Sequence, residues 1–378
     1  MSAEQISIPP QLLPVDGRFG CGPSKVRASH AEMLTGFGTT LLGTSHRQDS
    51  VRSLVGRIRS GLSELFGLPE GYEVVLGNGG STAFWDAATC CLVADRAAHA
   101  AFGEFGQKFA DATTAAPFLA DSHVTTAPAG ELARLSPMAG VDVYAWPHNE
   151  TSTGVISPVE RIAPGEEALM VVDGTSAAGG MQLDVSQTDA YYFAPQKAFG
   201  GDGGLWLAFL SPAAIERAER IESGDRWIPP FLSLRTAIDN SRKDQTLNTP
   251  AIATLILLGE QIEWLLDRGG LAWAAERTAE SSGVLYEWAE ARPWARPFVA
   301  DPAHRSPVVG TVDFDEAVDA KALARVLREH GIVDVEPYRK LGRNQVRVGM
   351  FPSVEPDDVR ALVACIDDVV EQMAPSGF

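Results

Sequence analysis

The chain has 378 residues, 45 % of them hydrophobic and 21 % charged, with a formal net charge of −18. That length suits a large domain plus a smaller one, and the composition is that of an ordinary globular protein. The residues show no signal-peptide pattern and no apolar run of membrane-spanning length, so a leaderless, cytoplasmic protein is the expectation. The acidic balance counts against nucleic acid and membrane surfaces as partners, because both need Lys and Arg in excess on one face. An anionic substrate would need a local positive pocket, which makes the arginines informative. Cys21, Cys90, Cys91 and Cys365 show neither CxxC spacing nor a disulfide framework, and they read as reduced, mostly buried thiols with no metal site.

Residues 1–16, with Pro9, Pro10 and Pro14, read as an irregular N-terminal arm placed to pack on a neighbour. From about residue 50 to 210 short apolar runs alternate with helical stretches, the signature of a mostly parallel sheet covered on both faces. The expected strands are "YEVVLG" (72–77), "VDVYAW" (141–146), "ALMVVD" (168–173), "AYYFA" (190–194) and "GLWLAFL" (204–210). They belong to a large domain spanning 17–258. After "DNSRKDQTLNTP" (239–250) an apolar-rich helix follows, with Thr249 as its cap and Pro250 at its first position. It bridges to a smaller α/β domain, 259–378, that reads as strand (306–314), helix (320–331), strand (345–351) and helix. In the last helix Val359, Leu362, Val363, Ile366, Val370 and Met373 form one apolar stripe.

In open α/β sheets ligands bind outside the carboxyl ends of the strands, and three stretches there carry candidate chemistry. In "LGNGGSTAFWDAA" (76–88) a strand gives way to glycines and then to Ser81 and Thr82, which open a helix. The pattern is either a phosphate cup made by free helix N–H groups or a capped glycine turn. In "ALMVVDGTSAAGG" Asp173 ends an apolar strand, either as a turn cap or as a functional carboxylate. In "YYFAPQKAFGGDGGLW" (191–206) Lys197 follows another buried strand and precedes four glycines in five residues. A strand-end lysine can snorkel to water, but a cramped, desolvated one has a lowered pKa suited to covalent work on a carbonyl. Lysine, carboxylate and phosphate cup are together what pyridoxal phosphate requires: a Schiff-base amine, a partner for the pyridine nitrogen and N–H groups for the phosphate.

The segments "DGRFGCGPSKV", "GTSHRQ", "GNGGSTAFWDA", "HNETSTGV", "YYFAPQKAFGGDGGLW", "NTPAIATL" and "EPYRKLGRNQVRVGMFP" span positions 16–352. In them the chain resembles the fold-type I, class V aminotransferases, and more closely the phosphoserine aminotransferase family in its actinobacterial form. The resemblance implies a large domain with a mostly parallel seven-stranded sheet, a smaller C-terminal α/β domain, and pyridoxal 5′-phosphate as cofactor. It implies transfer of an amino group between L-glutamate and 3-phosphohydroxypyruvate, giving 2-oxoglutarate and O-phospho-L-serine in serine biosynthesis.

On that resemblance Lys197 carries the cofactor and moves the α-proton, Asp173 pairs with the ring nitrogen, Phe105 stacks on the ring and Thr151 bonds the ring hydroxyl. Gly80, Ser81, Thr175 and Gln196 would hold the cofactor phosphate, joined by Asn248 and Thr249 from the other subunit of a homodimer. Substrate binding would fall to His46, Arg47, Arg339 and Arg347, with Arg347 on the carboxylate and the others toward the phosphate. Arg339, Arg343 and Arg347 could equally form a solvated basic loop. The pattern departs from enterobacterial members in three places: Ser81 and Thr82 replace an arginine after the glycines, Phe105 a tryptophan, and Tyr338 the histidine of a His-Arg pair. Rival expectations are another class V reaction, such as alanine:glyoxylate transamination or cysteine desulfuration, or a cofactor-free interaction protein in which Lys197 and Asp173 are a structural ion pair.

Overall fold

The computed structural model describes residues 6–162 and 167–373. After an arm and helices α1 (Ala28–Phe37) and α2 (Asp49–Phe66), the chain enters β1 (Glu73–Asn78), α3 (Ser81–Cys91), β2 (Ala97–Ala101), α4 (Glu104–Ala115), β3 (His123–Thr126) and β4 (Val143–Pro147). A two-stranded ribbon, β5 (Asn149–Glu150) and β6 (Val155–Ile156), precedes β7 (Leu169–Asp173), β8 (Ala190–Phe193) and β9 (Leu205–Leu210). Seven of these strands form one sheet in the order β1-β9-β8-β7-β4-β2-β3, and only β9 runs against its neighbours.

Strand alternation divides the large core in two. Met170, Val172, Tyr191, Phe193, Leu207 and Phe209 face α2 and the later helix α7 (Ile252–Leu266). Leu169, Val171, Ala190, Tyr192, Ala208 and Leu210 face α3, α4, α5 (Pro212–Glu222) and α6 (Leu234–Ser241). Every residue of β4, β7, β8 and β9 is buried, as a sheet covered on both faces requires. All five expected large-domain strands are present, and β2 and β3 join them. The sequence "AAHAA" of β2 lacks the β-branched and aromatic residues that mark strands, and β3 is a short, largely exposed edge.

The chain continues through α8 (Gly270–Glu290), β10 (Ala295–Pro297), β11 (Val309–Phe314), α9 (Ala320–Glu329), β12 (Gln345–Gly349) and α10 (Pro356–Met373). The antiparallel sheet β10-β11-β12 packs with these helices into a second core. Residues 258 and 259 lie inside α7, whose buried positions belong to the large core. The two cores meet along α8, which gives Leu271 and Ala274 to the first and Leu285, Trp288 and Ala289 to the second.

Of the arm, residues 1–5 lie outside the described residues, and Ile6 and Ile8 are buried in the second core of their own chain. One expectation is corrected. Helix α7 begins at Ile252 with Ala251 as its cap residue, two residues beyond the expected start. Thr249 is not its cap because the side chain is engaged elsewhere: Oγ1 lies 3.1 Å from His46 Nδ1, and the Thr249 carbonyl accepts from Asn78 Nδ2 at 3.0 Å. Among the described residues no helix is long and apolar enough to cross a membrane, and no His, Cys, Asp and Glu cluster is arranged to hold a metal ion.

Candidate active site

Strands β7 and β8 are parallel neighbours, and Asp173 at the end of β7 is in register with Tyr192 of β8. Lys197 lies in the turn just after β8, so the carboxylate and the amine emerge side by side at the carboxyl edge of the sheet. Lys197 is only 6 % exposed. Its backbone is fixed by Ser24, whose Oγ donates to the Lys197 carbonyl at 2.5 Å. Its stem lies so close to Gly22 that a Cβ there would meet Cε at 2.7 Å. Gly22 also has φ +138°, a conformation that only glycine adopts readily.

The amine donates to Thr151 Oγ1 at 2.6 Å, Thr151 donates to Ser176 Oγ at 2.9 Å, and Ser176 donates to the Asn149 carbonyl at 2.9 Å. This chain of hydroxyls gives the ammonium one neutral acceptor in place of water. Burial therefore lowers the Lys197 pKa to about 8, although the Asp173 charge opposes the shift. Asp173 accepts from the Thr175 backbone N–H at 2.8 Å. Beneath it the Tyr192 hydroxyl accepts from Trp85 Nε1 at 2.8 Å. Burial first, and then the Asp173 charge, keeps that phenol protonated.

An anion corner adjoins this pair. Helix α3 starts after Gly80 with no side-chain cap, leaving its first N–H groups to face the cavity. Ser81 Oγ and Thr175 Oγ1 lie 2.6 Å apart, and the buried Gln196 Oε1 has no partner. Opposite, Phe105 in the first turn of α4 places its ring centroid 5.3 Å from Lys197 Nζ and 6.1 Å from the Tyr338 ring. Arg347 on β12 donates from Nη1 to the Thr151 carbonyl at 3.0 Å, while its buried Nε lacks a partner. These groups line one cavity of about 390 Å³, within the roughly 300–1,000 Å³ of small-molecule sites.

Of the residues singled out in the sequence, Gly80, Ser81, Phe105, Thr151, Asp173, Thr175, Gln196, Lys197 and Arg347 meet there. His46 and Thr249 line a separate open cleft with Leu42, Thr44 and Pro250. Asn248 is exposed, and Arg47 is an exposed side chain bonded to Gln245 Oε1 at 2.9 Å. Arg339 is exposed as well. Arg343 is an ion-pair partner of Asp313, a structural role. Sequence reading missed Trp85 and Glu150, whose signals lay in quoted motifs but were masked by ordinary aromatic and acidic character. Cys21, read in the sequence with the other reduced, mostly buried thiols, lines the cavity as well. Burial raises its pKa, the opposite of what a nucleophilic thiol needs.

The family model for class-V aminotransferases matches residues 23–335. A protein of Mycolicibacterium vanbaalenii is 62 % identical over 371 residues, 98 % of this chain and 100 % of its own length. The phosphoserine aminotransferase of Rhodococcus opacus is 57 % identical over 366 residues, 97 % of this chain and 98 % of its own. The crystal structure of a phosphoserine aminotransferase from Cytophaga hutchinsonii superposes with a TM-score of 0.85 at 21 % identity, covering 93 % of this chain and 99 % of that one. The last likeness speaks for the fold.

In protein freed of any cofactor, acylation of Lys197 followed by peptide mass should rise with pH about a midpoint near 8, not near the ordinary lysine value of about 10.4. Asp173→Asn should move the midpoint lower still, because the Asp173 charge favours the ammonium. An ordinary midpoint, or an upward move in D173N, contradicts this account of the site.

Proposed function

The chain belongs to the class V aminotransferases, and from that membership we propose that it moves an amino group between L-glutamate and 3-phosphohydroxypyruvate, yielding 2-oxoglutarate and O-phospho-L-serine for serine biosynthesis. The observation that carries the reading is the convergence of Lys197, Asp173, Arg347 and an anion corner in one cavity. The name carried by the R. opacus relative supports the substrate.

Pyridoxal 5′-phosphate fits the donor set. The α3 N-terminus, Ser81 and Thr175 suit its phosphate, and Gln196 would turn its amide NH2, a donor, toward it. Asp173 suits the ring nitrogen, Thr151 the ring hydroxyl, Phe105 a ring face and Lys197 the aldehyde. When bound, the cofactor supplies an electron sink for the pair released as the Cα–H bond of an amino acid breaks.

The protein's own residues account for the rest. With a pKa of about 8, Lys197 is uncharged in a useful fraction near neutral pH and can take up a proton and return it. Thr151 Oγ1 fixes the position of its Nζ. Asp173, held by the Thr175 N–H, keeps a proton on a nitrogen placed against it. Arg347 offers the guanidinium that receives the substrate carboxylate.

The lining of the cavity contains only two cationic side chains among the described residues, Lys197 and Arg347, whereas cofactor and substrate together carry two phosphates and a carboxylate. We infer that a second copy completes the site in a homodimer. Asn248 and Thr249 would reach the partner's cofactor phosphate. His46 and Arg47, with Arg339, would bind the substrate phosphate. The exposure of Asn248, Thr249, Arg47 and Arg339, and the place of the half-buried His46 with Thr249 in an open cleft apart from the cavity, support this. A desulfurase reading is disfavoured by the buried, raised-pKa thiol of Cys21.

Two measurements test the proposal. O-phospho-L-serine, added without a keto acid, should change the visible spectrum of the holoprotein, and L-serine and L-alanine should not. Lys197→Ala should abolish the change. Equal response to L-serine would overturn the phosphate specificity. Co-expressing Lys197→Ala with Arg47→Ala, each inactive alone, should restore about a quarter of wild-type activity, because half the dimers then hold one intact site of two. No recovery would overturn the shared site.

A further inference from the structure

Glu150 is a fully buried carboxylate with no cationic side chain bonded to it among the described residues. Its Oε2 accepts from the backbone N–H groups of Phe105 and Gly106, both at 3.0 Å. Its Oε1 accepts from Ser152 N at 3.1 Å and Ser152 Oγ at 2.7 Å. Ser152 Oγ in turn accepts from Glu104 N at 3.0 Å. The three leading N–H groups of α4 are therefore held by two side chains of the β5–β6 ribbon and not by the helix's own cap residue.

That cap residue, Gly103, makes no side-chain cap. A Cβ there would meet Glu150 Cγ at 2.3 Å and Ser152 Oγ at 2.5 Å. Local capping by Ser, Asp or Asn, the common way to satisfy a helix start, has thus been given up for a carboxylate 45 positions along the chain. A carboxylate is acceptor-only, and all four of its contacts come from donors, so no neutral side chain of the same shape satisfies them.

The group that this arrangement fixes is the backbone of Phe105. The neighbour of Glu150 in sequence, Thr151, receives the Lys197 amine and, through its carbonyl, Arg347. One rigid segment thereby ties the aromatic wall of the cavity to its lysine.

We propose that Glu150 is a positioning residue that sets the orientation of the Phe105 ring against the cofactor. The proposal rests on the cofactor reading above, since it takes Phe105 to cover the pyridine ring. In Glu150→Gln an amide NH2 must face either the Phe105 and Gly106 N–H groups or the Ser152 N–H, and because Ser152 Oγ itself holds the Glu104 N–H, either choice loosens the first turn of α4 and lets the ring tilt.

The test compares wild type, Glu150→Gln, Phe105→Leu and the double variant in three readouts: thermal melting without cofactor, the dissociation constant for pyridoxal phosphate, and the visible circular dichroism of the bound cofactor. Glu150→Gln should weaken cofactor binding about tenfold, the equivalent of one hydrogen bond to a charged group, and reduce the dichroism. In the Phe105→Leu background the same substitution should change the dissociation constant by less than about twofold, because the ring through which it acts is gone. Unchanged affinity and dichroism in Glu150→Gln, or an effect that adds in full to Phe105→Leu, would overturn the proposal. If Glu150→Gln does not fold, Ser152→Ala serves: it keeps the carboxylate and frees the Glu104 N–H, and it should reduce the dichroism by a smaller amount. No change in Ser152→Ala would overturn the proposal too. A wild-type protein that takes up no pyridoxal phosphate would instead overturn the proposed function beneath it.

Discussion

A lysine ammonium removed from water at the end of a parallel sheet is the constraint to which the rest of the molecule answers. Desolvation disfavours its charge, so the chain must offer a nearby anion, an acceptor for the amine and a backbone that leaves the stem room. Asp173 is the anion, brought alongside by the β7–β8 register. Thr151 is the acceptor, and Gly22 leaves the room. Removing any one of the three would either strand a charge or crowd the stem. The arrangement keeps the amine close to its protonation midpoint, the condition under which a group can give and take protons at neutral pH.

The distribution of positive charge follows from the same economy. In a chain of net charge −18, many arginines are consumed by ion pairs that tie surface elements together, as Arg343 with Asp313 and Arg277 with Glu355. Arg347 differs: it bonds a backbone carbonyl, stacks 5.3 Å from the Tyr338 ring and keeps a buried Nε without a partner. An unsatisfied buried donor is costly, and an incoming carboxylate would relieve it. Its place on β12, in the three-stranded sheet, also makes the second core part of the site, since the seven-stranded sheet positions the lysine and the smaller sheet the guanidinium.

The central features of the site were legible in the sequence because they follow strand ends. Asp173 ends, and Lys197 closely follows, an apolar run that reads as a buried strand, and the glycines before Ser81 pointed to a helix start. The elements that escaped were those without a local signal. An alanine-rich strand such as β2 owes its conformation to its neighbours in the sheet, and Glu150 acts on a helix 45 positions away. The Thr249-Pro250 pair had the chemistry of a helix cap, yet tertiary contacts with His46 and Asn78 moved the helix start to Ile252. Arg343 carried the same local promise as Arg347 and was claimed by Asp313, a distinction that only the register of β11 against β12 decides.

The claim beneath all of this is that the buried amine of Lys197 is the group to which the cofactor attaches. Borohydride reduction of the holoprotein followed by peptide mapping tests it most directly. The account predicts a phosphopyridoxyl group on the peptide containing Lys197 and on no other. The same label on Lys25, Lys108 or Lys340, with Lys197 unmodified, would contradict it.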